Sequence, residues 1–218
     1  MKETELAEIV ISWLENQHWD IYQEVCVPGG VIDILAVRNN RCWAIETKTK
    51  LSLTVMDQAF RRTTHYRSVA VPRSKYSDHY LQHKIAKNYL YIGVLEINPI
   101  SKQVEEIIEA KLMREYNFYA KNIINKLTPE QKTYAKAGTN NGGYYTPYRQ
   151  TIDEIKTFLR RHPGSTIKDI VGHLDRYKLH HYASPNSAKQ SIKIALNNWE
   201  SETFRKDTLD KKDIYFVR

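Results

Sequence analysis

The chain has 218 residues, of which 41% are hydrophobic and 27% are charged, and its net charge at pH 7 is +8. This length allows one full domain and a smaller one. No apolar run reaches the length of about 18 residues that a membrane-spanning helix needs, and no signal-peptide segment stands out, so we expect a soluble, cytoplasmic protein. Cys26 and Cys42 both lie in apolar strand-like segments, which predicts buried thiols and not a disulfide or a zinc site.

Residues 2–16 predict an amphipathic helix. Apolar residues recur at helical spacing on one face: Leu6, Ile9, Val10, Trp13 and Leu14. Glu3 lies one turn before Leu6 on the same stripe, so its carboxylate is expected to point towards the sheet. An acid at this position can instead serve only to complement the helix dipole, and both interpretations stay open.

The segment 31–48 predicts a β-hairpin. Two runs rich in β-branched and aromatic residues flank the dipeptide Asn39-Asn40, which suits a two-residue turn. If these asparagines form the loop, counting back along both strands places Asp33 opposite Glu46. Directly opposed carboxylates repel each other, so this register demands a compensating positive charge.

Lys48 projects from the same face as Glu46, but one ammonium cannot satisfy two carboxylates among Val, Leu and Ile side chains. A divalent cation can, and oxygen ligands favour Mg²⁺ or Mn²⁺ over zinc. The alternative is an exposed hairpin that carries Asp33, Glu46 and Lys48 as a solvated ion cluster. The apolar opposite face favours a buried central sheet instead. That face carries Ile32, Ile34, Ala36, Trp43 and Ile45.

Asp33 followed by Glu46-Thr47-Lys48, between two predicted helices, resembles the core of the PD-(D/E)xK nuclease superfamily over roughly residues 1–115. The resemblance implies that Asp33 and Glu46 bind a metal ion, joined by the Thr47 carbonyl. It implies that Lys48 positions or polarises the attacking water. Isoleucine precedes Asp33 where the motif has proline, at a position that the superfamily keeps loosely.

The same resemblance gives two further residues a role. Many relatives carry a helix glutamate that assists the metal site, and Glu3 is the matching residue. Similar nucleases often place a glutamine beside the metal on the helix after the motif, and Gln58 matches it within the predicted helix Thr54–Tyr66. An ordinary surface glutamine is the alternative for Gln58.

The rest of the first half completes an α/β restriction-endonuclease-like core, a mixed sheet flanked by helices, assigned to residues 1–126. Its remaining elements are a strand at Ser68–Pro72, a helix at Tyr80–Lys87 and strands at Tyr89–Asn98 and Val104–Ala110. His79 and His83 are four residues apart, but the sequence supplies no third ligand, which favours a solvated helix face over a metal site.

Residues 127–147, rich in Gly, Asn and Thr, predict a linker, and the basic excess lies beyond it. Residues 1–130 contain 17 Lys and Arg and 16 Asp and Glu, whereas residues 131–218 contain 16 Lys and Arg and 9 Asp and Glu. A basic second half suits a nucleic-acid tether, although many basic proteins never bind DNA. Tyr144, Tyr145 and Tyr148 can stack on bases or, as the favoured alternative, pack the linker.

Residues 148–218 predict a small α+β domain of three helices followed by a hairpin. The first two helices are Thr151–Arg161, opened by a capping box at Thr151, and Thr166–Tyr177. The third begins at Pro185 after the cap Ser184 and is expected to bury Trp199.

This order resembles a winged helix-turn-helix, which implies that the third helix enters the major groove of DNA. The implied base and phosphate contacts on that helix are Asn186, Lys189, Gln190 and Lys193. Arg205 and Lys206 in the wing would contact the DNA backbone. Many winged helices bind proteins instead, and this alternative stays open.

Taken together, the sequence predicts a Mg²⁺- or Mn²⁺-dependent DNA endonuclease acting on duplex DNA, a possible homodimer with no membrane association. The alternatives are a non-catalytic DNA-binding regulator that retains the nuclease fold, and an RNA- or structure-specific nuclease.

Overall fold

A computed structural model describes residues 1–74, 79–139 and 143–218. It divides them into two compact units, Met1–Tyr145 and Thr146–Arg218. Within the described ranges, every helix is too short or too polar to cross a membrane.

Among its described residues, the first unit contains four α-helices and six strands. The helices are α1 (Glu3–Glu15), α2 (Leu53–Phe60), α3 (Tyr80–Ile85) and α4 (Asn117–Ile124). The strands are β1 (Asp20–Val27), β2 (Gly30–Arg38), β3 (Arg41–Thr47), β4 (Tyr66–Pro72), β5 (Gly93–Ile97) and β6 (Val104–Ile108). A π-helical turn, Ala86–Leu90, extends α3.

The six strands form one mixed sheet in the order β1-β2-β3-β4-β5-β6. Neighbouring strands are antiparallel from β1 to β3, parallel from β3 to β5, and antiparallel again between β5 and β6. The predicted mixed sheet flanked by helices is therefore present. The strand β3 is almost wholly buried, as its long apolar run requires for a central strand covered on both faces.

The predicted turn of the β2–β3 hairpin is confirmed, and so is its register up to the pair Ile34–Ile45, one residue short of the predicted pair Asp33–Glu46. Asn39 and Asn40 both have positive φ, 51° and 57°, as a two-residue hairpin turn of this type requires. Arg38 pairs with Arg41, and the regular pairing continues to Ile34 with Ile45. The predicted stripe of α1 is buried against this sheet, where Leu6, Val10 and Leu14 pack on Ile34, Ala36, Trp43 and Ile45.

The assignment of Ile32 to the same face as Ile34 was wrong. Ile32 packs with Val25 and Leu35 in the core cluster on the other face of the sheet. The alternation of side chains between the two faces therefore breaks at Asp33, between Ile32 and Ile34. The neighbouring strand is also irregular there, because Glu24 has a φ of 51° in the middle of β1. Irregularities of this kind redirect side chains, and this one lies beside the predicted site.

Two further expectations for the first unit were wrong. The helix α2 ends at Phe60 and not at Tyr66, since Tyr66 already belongs to the buried strand β4. Arg67, which follows Tyr66 on this strand, is fully buried and donates hydrogen bonds to the Phe60 and Leu90 carbonyls. Cys42 is buried as expected, but Cys26 is exposed because the edge strand β1 leaves it uncovered.

Part of the predicted linker packs on the first unit. Ala135 and Ala137 are buried, and Tyr145 is 6% exposed with its ring 5.1 Å from that of Tyr134. Residues 140–142 of the segment lie outside the described residues.

The second unit contains the three expected helices and the hairpin. Its elements are α5 (Pro147–Arg161), α6 (Ile167–Tyr177), α7 (Pro185–Ile194), β7 (Ser165–Thr166), β8 (Phe204–Leu209) and β9 (Lys212–Val217). The strands form a sheet in the order β7-β9-β8. Its core contains Ile155, Leu159, Ile170, Leu174, Ile192 and Tyr215.

Two details of the second unit differ from expectation. The cap of α5 is Thr146, one turn before the predicted Thr151, whose hydroxyl instead donates to the Pro147 carbonyl. Trp199 is 69% exposed and not buried, because a π-helical turn at Ala195–Trp199 follows α7 and changes the direction of its last residues.

Candidate active site

The two predicted carboxylates lie where the β2–β3 pairing ends, one residue beyond the pair Ile34–Ile45. Asp33 Oδ2 accepts hydrogen bonds from the backbone nitrogen and the hydroxyl of Thr47, at 2.8 and 3.0 Å. Burial raises the pKa of Asp33, while these bonds and the charge of Lys48 oppose the rise. The Thr47 side chain therefore orients one carboxylate oxygen and leaves the other for a ligand.

Lys48 lies between two acids. Its Nζ is 2.9 Å from Glu3 Oε2 and 3.9 Å from Asp33 Oδ2, so α1 delivers the predicted glutamate to the predicted lysine. Although burial opposes its charge, the hydrogen bond to Glu3 and the charge of Asp33 raise the pKa of Lys48. The side chain is thus held as an ammonium beside the carboxylates.

Glu46 has a positive partner that the sequence did not reveal. Arg62 Nε donates to Glu46 Oε1 at 2.6 Å, and its other nitrogens donate to the carbonyls of Val31, at 2.5 Å, and Gly29, at 3.4 Å. Burial and the charge of Asp33 raise the pKa of Glu46 to about 7, against the opposing charge of Arg62. A metal ion is therefore not the only positive charge that can offset these acids, contrary to the expectation from the sequence.

Gln58 lines the same recess as the acids. This open cavity of about 290 Å³ is bordered by the β1–β2 turn, the ends of β2 and β3, and α2. Its lining comprises Gly29, Gly30, Val31, Asp33, Glu46, Lys48, Asp57, Gln58, Arg61 and Arg62. Glu3 reaches the recess through Lys48, so the structure brings together all five predicted catalytic residues.

A further acid, Glu24, was missed. Burial and the charge of Asp33 raise the pKa of Glu24 to about 7, and Lys48 also acts on it. The pairs Gln23–Ile34 and Val25–Ile32 flank Glu24 on β1 and Asp33 on β2. The sequence does carry a signal for this contact. Val27 pairs with Gly30 across the Pro28-Gly29 turn, and counting back from that pair places Glu24 opposite Asp33.

The donor set suits a hard divalent cation. The described residues donate no hydrogen bond to Asp33 Oδ1 or Glu46 Oε2, so each carboxylate keeps one oxygen for a ligand. They also include no group of three or more His, Cys, Asp and Glu side chains arranged around one metal position. Mg²⁺ commonly uses one or two carboxylates and keeps several waters, so a pair of acids is compatible with it.

A second polar network, Cys42–His65–Asn117, has the residue types of a cysteine-protease triad but not its chemistry. Cys42 Sγ is 3.7 Å from His65 Nδ1, and His65 Nε2 is 3.2 Å from Asn117 Oδ1. Nδ1 already accepts from the Cys42 backbone nitrogen at 3.1 Å, and burial raises the pKa of the Cys42 thiol to about 11. A buried thiol of this kind is not a nucleophile.

The six candidate DNA contacts of the second unit are all exposed: Asn186, Lys189, Gln190, Lys193, Arg205 and Lys206. On β9, Asp213 Oδ2 lies 3.6 Å from Lys193 Nζ and Asp213 Oδ1 lies 3.7 Å from Lys206 Nζ. One acid thus forms ion pairs with both α7 and the hairpin. Asn197, in the π-helical turn after α7, is partly buried and accepts from the Tyr215 hydroxyl at 3.3 Å.

His79 and His83 have ring centroids 6.0 Å apart. His83 Nε2 lies 3.3 Å from Glu96 Oε1, and this inter-element contact makes His83 less solvated than expected.

Comparison with known proteins bears on the first unit. Searches against curated proteins and against solved structures gave no match. Residues 2–108 match the family model NERD, the nuclease-related domain, and this range holds Asp33, Glu46, Lys48, Glu3 and Gln58. Together with the mixed sheet flanked by helices, the match is consistent with a nuclease fold of the PD-(D/E)xK type and supports a nuclease-related function for this part of the chain.

Proposed function

We propose that the protein is a Mg²⁺- or Mn²⁺-dependent DNA endonuclease. The observation that carries the proposal is the convergence of Asp33, Glu46, Lys48 and Gln58 on one recess, with Glu3 bonded to Lys48, inside the range that matches the nuclease-related domain. Two hard carboxylates beside a charged lysine suit the hydrolysis of a phosphodiester, in which negative charge develops on phosphoryl oxygens.

Asp33 and Glu46, with the Thr47 carbonyl, would hold the metal ion. When bound, it would polarise a phosphoryl oxygen and make water a stronger nucleophile. Lys48, kept charged by Glu3 and Asp33, orients the attacking water and offsets the charge that develops at phosphorus. Gln58 supplies a neutral donor and acceptor at the rim of the recess, where it can orient the water or the scissile phosphate.

We further propose that the second unit is a winged helix that binds duplex DNA, with α7 in the major groove and the β8–β9 hairpin as the wing. The element order and the exposure of Asn186, Lys189, Gln190 and Lys193 support this proposal. In this proposal, residues 1–126 cut the DNA, residues 127–147 link the two units, and residues 148–218 bind the duplex. Cutting both strands with one site per chain would require two copies, which favours a homodimer.

A second candidate function is a DNA-binding regulator that retains the nuclease fold without cleavage. The Arg62–Glu46 ion pair favours it, since it gives Glu46 a cationic partner within the chain. In a protein with this fold that binds no metal ion, a buried carboxylate needs another positive charge beside it.

The deciding experiment incubates the full chain with supercoiled plasmid, linear duplex, single-stranded DNA and RNA, with Mg²⁺, with Mn²⁺ and with chelator. We expect cleavage of duplex DNA that needs the metal and is absent in Asp33→Asn. Cleavage of RNA alone would change the substrate class. Tight duplex binding without cleavage under any condition would favour the regulator.

A further inference from the structure

Residues 129–139, here called the edge segment, run along the outer edge of the sheet beside β1. The side-chain amide of Gln23 on that strand forms two hydrogen bonds with the segment. Its Nε2 donates to the Lys132 carbonyl and its Oε1 accepts from the Ala137 nitrogen, each at 3.0 Å. The next residue, Glu24, accepts from the Gly138 nitrogen at 3.0 Å. The segment is thus fixed to β1 by side chains at consecutive positions.

Ion pairs and burial strengthen this attachment. Lys132 Nζ lies 2.9 Å from Asp20 Oδ1 on β1, and Lys136 Nζ lies 3.4 Å from Glu8 Oε1 on α1. Gln131 is buried within the segment, as are the alanines already described. The segment therefore contacts both β1 and α1, the two elements that carry Glu24 and Glu3.

Gly138 fits directly against the first turn of α1. A Cβ at this position would lie 2.8 Å from the carbonyl carbon of Glu3 and 3.0 Å from the nitrogen of Thr4, both of which are backbone atoms. Its φ of 78° is also one that residues with a side chain rarely adopt. Any larger residue here must displace the edge segment or the helix turn that carries Glu3.

Glu24 links the same glycine to the other side of the site. Its φ of 51° is unusual for a glutamate inside a strand, and such backbone conformations are kept where the surroundings impose them. The charges of Asp33 and Lys48 both act on its carboxylate. One residue, Gly138, thus contacts the backbone of Glu3 and the side chain of Glu24.

We propose that the edge segment is part of the active site and that Gly138 and Glu24 are positioning residues, which hold Glu3 and the ammonium of Lys48 beside Asp33. The segment lies outside the range 2–108 that matches the nuclease-related domain. Gly138 sets the position of Glu3 by contact, and Glu24 holds Gly138 in that position by accepting a hydrogen bond from its nitrogen. The kinetic part of this inference rests on the proposed nuclease function, whereas the geometric part does not.

The test uses three variants of the full chain. Gly138→Ala introduces the methyl group that would meet the Glu3 backbone, and Gly143→Ala is its matched control, because a Cβ there meets no atom within 4 Å. Glu24→Ala removes the acceptor for the Gly138 nitrogen. Circular dichroism and thermal melting establish which variants fold.

The first readout needs no enzymatic activity. The rate of reductive methylation of Lys48 is followed by mass spectrometry, with the exposed Lys189 as internal reference. An amine released from its hydrogen bond to Glu3 reacts faster, so we expect Gly138→Ala and Glu24→Ala to methylate Lys48 about threefold faster than wild type, and Gly143→Ala to match wild type. Equal rates in folded Gly138→Ala, Glu24→Ala and wild type would overturn the proposal.

The second readout is cleavage by the same proteins. We expect kcat to fall about tenfold in both site variants while DNA affinity stays unchanged, since neither residue contacts substrate in this proposal. A fall in DNA affinity with unchanged kcat would contradict a positioning role. If wild type cleaves nothing, the proposed function fails and the methylation rates alone decide the inference. If Gly138→Ala does not fold, Glu24→Ala decides it.

Discussion

Arg62 Nε and Glu46 Oε1 form a hydrogen-bonded ion pair of 2.6 Å, with 7% and 3% of the two side chains exposed. Breaking such a pair on one side leaves an uncompensated charge in a medium that solvates it poorly. The pair also commits one oxygen of Glu46 and so fixes the direction of the other. Arg62 thereby orients the carboxylate of Glu46, which we propose as a metal ligand.

The first prediction follows from this pair. Arg62→Met should lower the free energy of unfolding by about 3–5 kcal/mol, because Glu46 stays buried without its partner. Urea unfolding measures the change, and Arg61→Met, an exposed arginine paired with Asp57, should change it little. Adding Glu46→Gln to Arg62→Met should recover part of the loss. Equal effects of Arg61→Met and Arg62→Met would contradict the role given to the buried pair.

The second prediction concerns the metal site. Asp33→Asn and Glu46→Gln should each keep the fold but lose both cleavage and the rise in melting temperature that we expect Mn²⁺ to cause in wild type, because a proposed ligand for the cation is gone. Melting curves with and without Mn²⁺ measure this, and Asp57→Asn is the control from the rim of the recess. Undiminished cleavage by both variants would remove the site from the mechanism.

The third prediction concerns Lys48. Since it assists the reaction without binding the metal, Lys48→Ala should lower kcat by about two orders of magnitude or more. The stabilisation by Mn²⁺ should persist, which separates this variant from those of the acids. A variant that cuts at the wild-type rate would reduce Lys48 to the ion-pair partner of Glu3.

The fourth prediction concerns pH and the second unit. Burial lowers the pKa of His181 from its ordinary 6.5, and its Nδ1 lies 3.1 Å from the Thr151 hydroxyl. The unfolded chain therefore binds more protons than the folded one as the pH falls below 6.5, so the second unit loses stability there. NMR titration of His181 and urea unfolding at about pH 7.5 and about pH 5.5 measure this.

His181→Asn should flatten that dependence, whereas His18→Asn, an exposed histidine of the first unit, should leave it intact. A His181 that titrates above 6.5 in the folded chain would reverse the sign and contradict the prediction.

The fifth prediction concerns DNA binding. Asp213 partly neutralises Lys193 and Lys206, so Asp213→Asn should tighten duplex binding a few-fold and steepen its dependence on salt. Fluorescence anisotropy over a range of NaCl concentrations measures both, and Glu202→Gln controls for net charge alone. If Asp213→Asn binds no more tightly than Glu202→Gln, these two lysines do not contact the phosphates.

The parts of the first unit that the sequence predicted are those set by short-range rules. Two asparagines fix the β2–β3 register, and helical spacing directs Glu3 towards the sheet, where it meets Lys48. Both inferences need only backbone geometry and the period of the side chains. The order of strands and helices followed from the same periodicities.

The contacts that escaped the sequence depend on tertiary packing. Arg62 comes just after α2, in a segment expected to be helical surface, and only the position of that helix over the β1–β2 turn brings it to Glu46. Glu24 differs from Arg62, because counting back from the Pro28-Gly29 turn places it opposite Asp33, and only its positive φ has no signal in the sequence. Trp199 was expected inside because its spacing assumes an α-helix, whereas the chain takes a wider turn there.

The exposure of Trp199 has a practical consequence for spectroscopy. It is the single tryptophan of residues 146–218, whereas Trp19 and Trp43 are buried in the first unit and Trp13 is partly buried there. An indole in contact with water emits at longer wavelength and is more accessible to soluble quenchers than a buried one. Iodide and acrylamide should therefore suppress the red edge of the emission first, so that the second unit can be followed in the intact chain without an added label.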